Sequence, residues 1–466
     1  MKINSPTIVF IAIIAISIII FFLPPPAGID TQVMKGAAVI VLAIGLWSTA
    51  VLPSSFGSLI FLFAAVLLAI APPKIVFSGF HSGATWLVFG GLVLGLGVKQ
   101  TGLDTRLVRS LLVNFPKTYM AIIYGVFWIG MLLAFIIPSA SGRVAVLVPI
   151  MIALSRELGF GDDNSGAGKG RTGLILAASM GTMVPAFNIL PANVPNMALY
   201  GAADSVLNIQ LTFTEYLLLN FPVMGIFPLI VYPAVIALLF KDTPNYQDPN
   251  RKSEPWSREE RRLLIILVIA LTLWITDGFH GISPAWISLG AAILCLFPRI
   301  GMMSSSVLGG EINYNPVLFL AGVIGLGAVA NHIGLGVLLA ENILGILNLQ
   351  KGADFQNYVS ISITSMIVGL FTTMPAQPPI MVAMASVLAE ATGWSQLSII
   401  MTSITAWGVF PFFYQAPPVV VAVALGNLKI SDVTKMLVVY MVIGILLKLP
   451  LHFLWGQYVG KFIVVG

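Results

Sequence analysis

The chain has 466 residues, of which 58% are hydrophobic and only 9% charged, with a formal net charge of +5 at pH 7. That balance excludes a soluble domain. Several apolar runs reach the roughly 20 residues that cross about 30 Å of hydrocarbon. The alternation of a β-barrel is absent, so the fold class is an all-α polytopic membrane protein in a lipid bilayer. The single cysteine, Cys295, can form no internal disulfide.

Residues 7–23 read as a retained first span, because only Lys2 precedes them and Pro24-Pro25-Pro26 follows without a small-residue cleavage site. Further spans read as 34–52, 55–72 and 84–101. In LDTRLVRSLLVNF (103–115), Leu103, Leu107, Leu111 and Phe115 share one helical face, with Arg106, Arg109 and Ser110 off it. That pattern predicts an amphipathic helix in the interface plane.

Apolar arms at 117–137 and 144–158 flank Pro138-Ser139-Ala140-Ser141-Gly142-Arg143. The second arm spans only about 22 Å of helix, which favours a re-entrant hairpin over two full crossings. An arginine at that depth costs roughly 2.5–3.5 kcal/mol on insertion scales, so Arg143 must face protein, water or an anion. A Gly-rich polar loop follows over 157–172 and lacks the Gly-Lys-Ser/Thr ending of a phosphate loop.

Residues 172–189 and 192–205 read as one span broken near Asn188–Asn193, and 213–240 as a long span. The charged segment 241–262 separates the halves. Spans 263–276, 284–299 and 315–332 follow, then a partly apolar stretch to Leu349. A second hairpin is predicted at 356–373 and 380–391, a second broken span at 395–412 and 418–427, and a last span at 433–457. The total is 11 transmembrane helices plus two re-entrant hairpins, which puts the termini on opposite sides. With the N-terminus cytoplasmic and the C-terminus outside, 17 of the 23 Lys and Arg lie inside. Lys35, Lys74, Lys351, Lys448 and Lys461 fall outside or at the outer interface, a positive-inside bias expected of an inner or plasma membrane.

The halves repeat. Gly90, Gly95, Gly102 and Leu103 recur as Gly322, Gly327, Gly334 and Leu335, all 232 positions later. Pro185 and Pro191 recur as Pro411 and Pro417, 226 later, and the tip at Ser139 recurs near Thr373. An odd number of crossings between corresponding elements makes these two inverted repeats. Paired, interrupted segments in two halves point to a midplane binding site.

With these features the chain resembles the divalent anion:sodium symporter family over about 34–457. TWLVFGGLVLGLGVKQTGLDTRL is similar to that family's Gly-rich fourth span running into a horizontal helix. The family's Ser-Asn-Thr hairpin signature, ten residues before a proline, falls on Ser139-Ala140-Ser141 ahead of Pro149, and on Thr373-Met374-Pro375 in the second half. Its Thr-Pro-Pro-Asn-like turn falls on Asn193-Val194-Pro195-Asn196 and Ala416-Pro417-Pro418-Val419.

The resemblance implies a homodimer of two-domain protomers working as elevators. The scaffold would be 1–116 and 263–350. The transport domain would be 117–241 and 351–466, with a cytoplasmic linker at 242–262. Implied substrates are dicarboxylates, tricarboxylates such as citrate, or sulfate, with Na+ as coupling ion.

Chemically, each break exposes N–H groups that suit an anion and carbonyls that suit a cation. Ser139, Ser141, Arg143, Asn196, Thr373 and Gln377 are the candidate substrate ligands. Ser139, Asn188, Asn193, Asn196, Thr372 and Gln415 are the candidate Na+ ligands. The guanidinium of Arg143 offers a fork for carboxylate or sulfate. It can alternatively pair structurally, or act as a built-in cation replacing Na+. The last case gives a sodium-independent exchanger, uniporter or channel.

Glu215, His332, Glu341 and Glu390 are the thin candidates for proton coupling, all near predicted span ends. An enzyme is not expected, since the chain has no paired aspartates for diphosphate chemistry, no His-Glu-x-x-His and no Gly-x-Ser-x-Gly. No cofactor, catalytic residue, resident metal or nucleic-acid partner is expected either.

Overall fold

The structure is a computed structural model. It describes residues 5–465 apart from 27, 50, 104–105, 107–117, 136, 138, 161, 164–165, 246–254 and 373. The first helices are α1 Ser5–Phe22, α2 Thr31–Thr49, α3 Ser54–Leu67 and α4 Gly83–Thr101. The first hairpin and broken span are α5 Tyr119–Ala134, α6 Ala140–Glu157, α7 Lys169–Met183 and α8 Val194–Leu207. Then come α9 Phe213–Leu239, α10 Arg258–Ile275, α11 Pro284–Leu296, α12 Asn315–His332 and α13 Leu335–Leu347. The second hairpin and broken span are α14 Asp354–Phe371, α15 Gln377–Thr392, α16 Gln396–Thr402 and α17 Pro417–Gly426. The last helix is α18 Ile430–Tyr458. A two-residue antiparallel pair, Asp162–Asp163 with Gly166–Ala167, lies in the polar loop.

Among the described residues four helices, α2, α9, α12 and α18, are long and apolar enough to cross a membrane. Their outer faces carry apolar side chains such as Ile230, Leu238, Leu446 and Leu454. The partly apolar stretch before Leu349 is a helix, α13. The interfacial helix expected over 103–115 lies almost wholly outside the described residues. Leu103 and Arg106 are described: Leu103 is buried, Arg106 Nε donates to Glu260 Oε1 at 2.6 Å, and the guanidinium lies 5.1 Å from the Trp256 ring centre. Glu260 and Ser257 meanwhile cap α10 reciprocally.

The 232-residue glycine repeat has two physical causes. Gly102 and Gly334 end α4 and α12 with φ of +75° and +73°. A side chain at either would be strained by that left-handed backbone. Gly90 and Gly322 instead serve close packing. A Cβ on Gly90 would lie 2.7 Å from the Ser288 carbonyl carbon, and one on Gly322 would lie 2.5 Å from Ser58 Cβ. Thus α4 crosses α11 as α12 crosses α3, by small-residue contact.

Of the four long apolar helices, α9 and α18 each contain a π turn, Phe221–Gly225 and Gly444–Lys448. Each sits within one turn of a downstream proline, Pro228 or Pro450. The missing N–H there leaves a carbonyl without its usual donor, and a wider turn takes up the slack.

The start of α9 is fixed from outside. Buried Asp277 accepts from Phe213 N–H at 2.5 Å and from Thr214 Oγ1 at 3.0 Å. Asp277→Ala removes this anchor and is expected to destabilise the protein by about 1–2 kcal/mol. Thermal unfolding in detergent measures it, and an unchanged midpoint would mean that α9 does not need the anchor.

Candidate functional site

The two hairpins and two broken spans converge by exchanging partners. Arm α6 packs on α7 and on α17 of the other half, while arm α15 packs on α8. The breaks themselves touch, with Phe187 and Trp407 ring centres 5.7 Å apart.

In the first break α7 stops at Met183. Two 3-10 turns, Pro185–Asn188 and Leu190–Ala192, lead to α8, which has Pro195 in its first turn. Prolines at those positions remove donors that would continue one helix. In the second break α16 tightens into the 3-10 turn Ser403–Gly408. A further turn, Phe413–Gln415, precedes α17 at Pro417.

Arg143 is fully buried at the first tip. Its Nε donates to Thr182 Oγ1 at 2.5 Å. One terminal nitrogen, Nη1, donates to Ile137 O and to Ala192 O, the latter at 3.1 Å. The other, Nη2, donates to Thr182 O at 2.7 Å and Asn193 Oδ1 at 3.2 Å. All five N–H donors of the guanidinium are thereby engaged by protein oxygens. The side chain ties the hairpin tip to both sides of the first break.

The remaining first-half candidates gather at the same place. Ser139 caps α6 by accepting from Gly142 N–H at 3.2 Å, and Ser141 is half-buried. Asn193 Nδ2 donates to Met183 O at 3.3 Å, so its amide joins α7 to α8. Asn196 Nδ2 donates to Ala186 O at 2.9 Å and to Ile189 O at 2.8 Å, closing the break. Asn188 Nδ2 donates to Pro185 O. The Oδ1 atoms of Asn188 and Asn196 are buried and accept no hydrogen bond among the described residues.

In the second half Thr373 lies outside the described residues. Thr372 Oγ1 donates back to Val368 O at 2.8 Å. Gln377 is fully buried, accepts from Trp407 Nε1 at 2.8 Å and donates to Ser365 Oγ at 2.5 Å. Gln415 Nε2 donates to Gly369 O at 2.9 Å. Both glutamines therefore tie the second hairpin to its break, as Arg143 ties the first.

Two residues that the sequence reading left aside are buried beside this group. Lys448, expected at the outer interface, is fully buried and donates to Gly408 O at 2.8 Å. His452, one turn later, is also fully buried, between Tyr358 Oη at 2.8 Å and Asn220 Oδ1 at 3.2 Å. The pairing of polar residues at 448 and 452 with lipid-facing Leu446 and Leu454 was the available signal. By contrast, His332, Glu341 and Glu390 are exposed. Glu215 pairs with Lys461 at 3.4 Å.

Among the described residues no group of three His, Cys, Asp or Glu side chains is placed to hold a metal ion. A cleft of about 380 Å³ lined by Phe10, Ile14, Phe22, Val39 and Leu46 lies away from the breaks.

Known proteins resemble this chain in fold and in sequence. The structure is similar to the crystal structure of the Alcanivorax borkumensis YdaH transporter, with TM-score 0.56 and 14% identity, covering 93% of this chain and 100% of that one. In sequence the chain is 25% identical over 293 residues to the putative malate transporter YflS of Bacillus subtilis, a match spanning 61% of each protein and so under two thirds of that relative. It is 24% identical over 371 residues to the L-tartrate/succinate antiporter of Escherichia coli strain K12, covering 72% of this chain and 75% of that one. It is 23% identical over 446 residues to the inner membrane protein YbhI of the same strain, covering 90% and 91%. The family model of the sodium:sulfate symporter transmembrane region matches residues 5–462. The chain is thus an integral membrane protein that belongs to the sodium:sulfate symporter family, whose members are anion transporters rather than enzymes.

Proposed function

We propose that this chain exchanges small dicarboxylates across the membrane without a coupling sodium ion. The observation that carries the proposal is Arg143. Its donors leave no fork for a substrate carboxylate, because five protein acceptors already engage them. Those acceptors are three backbone carbonyls, a hydroxyl and an amide oxygen, a ligand set that suits Na+ equally well. A guanidinium resting there removes the need for a diffusible cation in the first half. Substrate is then left to the half-buried tip residues and to the N-terminal ends of the half-helices.

Dicarboxylates are the substrate class because the relatives include a putative malate transporter and an L-tartrate/succinate antiporter. The recurrent order of hairpin, broken span and long helix supports an inverted repeat, with the two hairpins and breaks moving as one elevator unit in each protomer of a homodimer. The positive-inside count supports a cytoplasmic N-terminus in an inner or plasma membrane.

A sodium-coupled reading has the sodium:sulfate symporter family match in its favour, and one observation of the structure. The buried Oδ1 atoms of Asn188 and Asn196 lack a donor among the described residues. They fit a small cation, or a hydroxyl donor such as the 2-hydroxyl of malate or tartrate.

Liposomes reconstituted with the purified protein separate the readings. Labelled succinate is expected to enter only when the lumen holds succinate, malate or tartrate, at the same rate in Na+ and in choline. Accumulation in empty vesicles under a Na+ gradient would establish sodium symport instead.

A further inference from the structure

The N-terminal corner of the protein holds a groove away from the hairpins and breaks. Helix α1 lies on α2, and α2 lies on α3. The first contact is close: a Cβ on Gly45 would lie 2.8 Å from Ile13 Cγ2, and Ser17 Oγ donates to Ala38 O at 2.8 Å. Together the three helices line a cleft of about 380 Å³. Buried Val39 and Leu46 of α2 form its floor, and Ala64 and Leu68, at the end of α3, form one wall. Along α1 the other wall runs from Phe10 to Phe22, about 18 Å of helix rise. The hydrocarbon of one bilayer leaflet is about 15 Å deep.

The shape and lining decide what fits. Every lining side chain except Ser17 is apolar, and the Ser17 hydroxyl is already engaged by Ala38 O. A polar solute would find no partner there. Spread over that length, the volume leaves a cross-section of about 20 Å², whereas a helix about 10 Å across needs about 80 Å². The groove therefore takes one extended hydrocarbon chain and is too narrow for a helix of a second copy.

The end of the groove at Phe21 and Phe22 carries a charge. Lys35 is half-buried, with Nζ 5.8 Å from the centre of the Phe21 ring, which lines the groove. It stands about 6 Å of helix rise from the start of α2 at Thr31, where the chain leaves the hydrocarbon. Among the described residues no carboxylate lies within ion-pair distance of Lys35. Asp30, the nearest carboxylate in sequence, accepts from Gln32 N–H at 2.8 Å instead. The frame around the lysine is fixed as well. Gln32 Nε2 donates to Ala69 O at 2.6 Å and to Ile70 O at 3.0 Å, joining the start of α2 to the end of α3.

We infer that this groove binds one anionic phospholipid of the surrounding bilayer, with an acyl chain laid along α1 and the headgroup phosphate on Lys35. Any lipid-facing groove meets acyl chains. What makes this one a site is the uncompensated cation at its mouth, at headgroup depth. A zwitterionic headgroup carries its own ammonium, which competes with Lys35 for the phosphate. A headgroup with net negative charge has no such competitor and binds more tightly.

The test uses the full chain, delipidated in detergent and titrated with phosphatidylglycerol or with phosphatidylcholine of the same acyl chains, with bound lipid counted by native mass spectrometry. The wild type is expected to bind phosphatidylglycerol about fivefold more tightly. Lys35→Gln is expected to lose that preference and keep the weaker binding. Ala64→Phe fills the groove and is expected to weaken both lipids at least about tenfold. Lys74→Gln removes an exposed charge shortly after α3, outside the groove, and is expected to behave as the wild type.

Equal wild-type affinity for the two lipids overturns the inference, because the groove then holds bilayer lipid without selecting it. A preference that survives Lys35→Gln, or that Lys74→Gln abolishes equally, overturns the role of Lys35. A folded Ala64→Phe that binds both lipids as the wild type does places the lipid elsewhere. If Ala64→Phe instead shifts the protein to a smaller species on gel filtration, a second copy and not a lipid covers the groove. Should Ala64→Phe fail to fold, the Lys35 and Lys74 variants decide alone, since both change only side chains at the surface.

Discussion

Arg143→Met is expected to be among the most destabilising single substitutions in the chain, by roughly 3–5 kcal/mol. Methionine fills much of the volume and offers no donor. It leaves the carbonyls of Ile137, Ala192 and Thr182, the Thr182 hydroxyl and Asn193 Oδ1 facing one another without a cation. A buried acceptor left without a donor costs about 1–3 kcal/mol, and the five costs will not add in full because the tip can relax. Arg143→Lys restores the charge with three donors on a single nitrogen, which cannot span acceptors on both sides of the break. It is expected to recover part of the stability and to exchange poorly. Thermal unfolding in detergent with bound lipid measures the first effect. A Met variant within about 1 kcal/mol of wild type would mean that the guanidinium is not what holds tip and break together.

Gly181→Ala is the second large effect, and it adds only a methyl group. The helices α5 and α7 cross where Gly130 meets Thr182 and Gly181 meets Phe127. A Cβ on Gly181 would lie 2.7 Å from Phe127 Cα and run into the Phe127 carbonyl oxygen. Those are backbone atoms, which cannot rotate away as a side chain would. Overpacking of this kind costs about 1–3 kcal/mol. The effect on transport is expected to exceed the effect on stability, because the neighbouring Thr182 supplies two of the five acceptors of Arg143. Gly181→Ala should therefore slow succinate exchange at least about tenfold while the protein still purifies folded. Wild-type exchange by this variant would show that the crossing tolerates a wider spacing.

Most of the fold is legible in the sequence because bilayer and proline chemistry leave strong marks. The polar stretch that ends at Arg143 marks the turn between α5 and α6, but the second arm, read as a short 144–158, is an 18-residue helix from Ala140 to Glu157, because Ser139 caps it and Ala140–Arg143 join its first turn. Pro185, Pro191 and Pro195 announce the first break, because each removes a donor that a continuous helix needs. The repeat is readable at Gly102 and Gly334, where only glycine adopts the backbone without strain. What the sequence hides is the identity of acceptors. Arg143 and Lys448 bind mainly to backbone carbonyls, and every residue has one, so no residue type marks the partners. Lys448 is hidden twice over. Within the last apolar run it reads as a lysine at the outer interface, and its burial depends on a π turn and on the bare Cα of Gly408, forty positions earlier. Gln377 and Gln415 were legible as polar groups at the second tip and break. Their actual contacts, to Trp407, Ser365 and Gly369, depend on how the helices cross.

The partner exchange between halves has a consequence for biosynthesis. Helices α6 and α8 find their covering helices, α17 and α15, far later in the chain, on the other side of the charged segment 241–262. A nascent polypeptide that has delivered only its first half to the membrane therefore holds Arg143 on a hairpin with one flank bare. The first half alone lacks the helices that cover α6 and α8, and that packing needs the last hundred residues. Severing the chain at the charged segment and supplying the two pieces together gives each the faces it lacks, whereas either piece by itself is left as a substrate for membrane quality control.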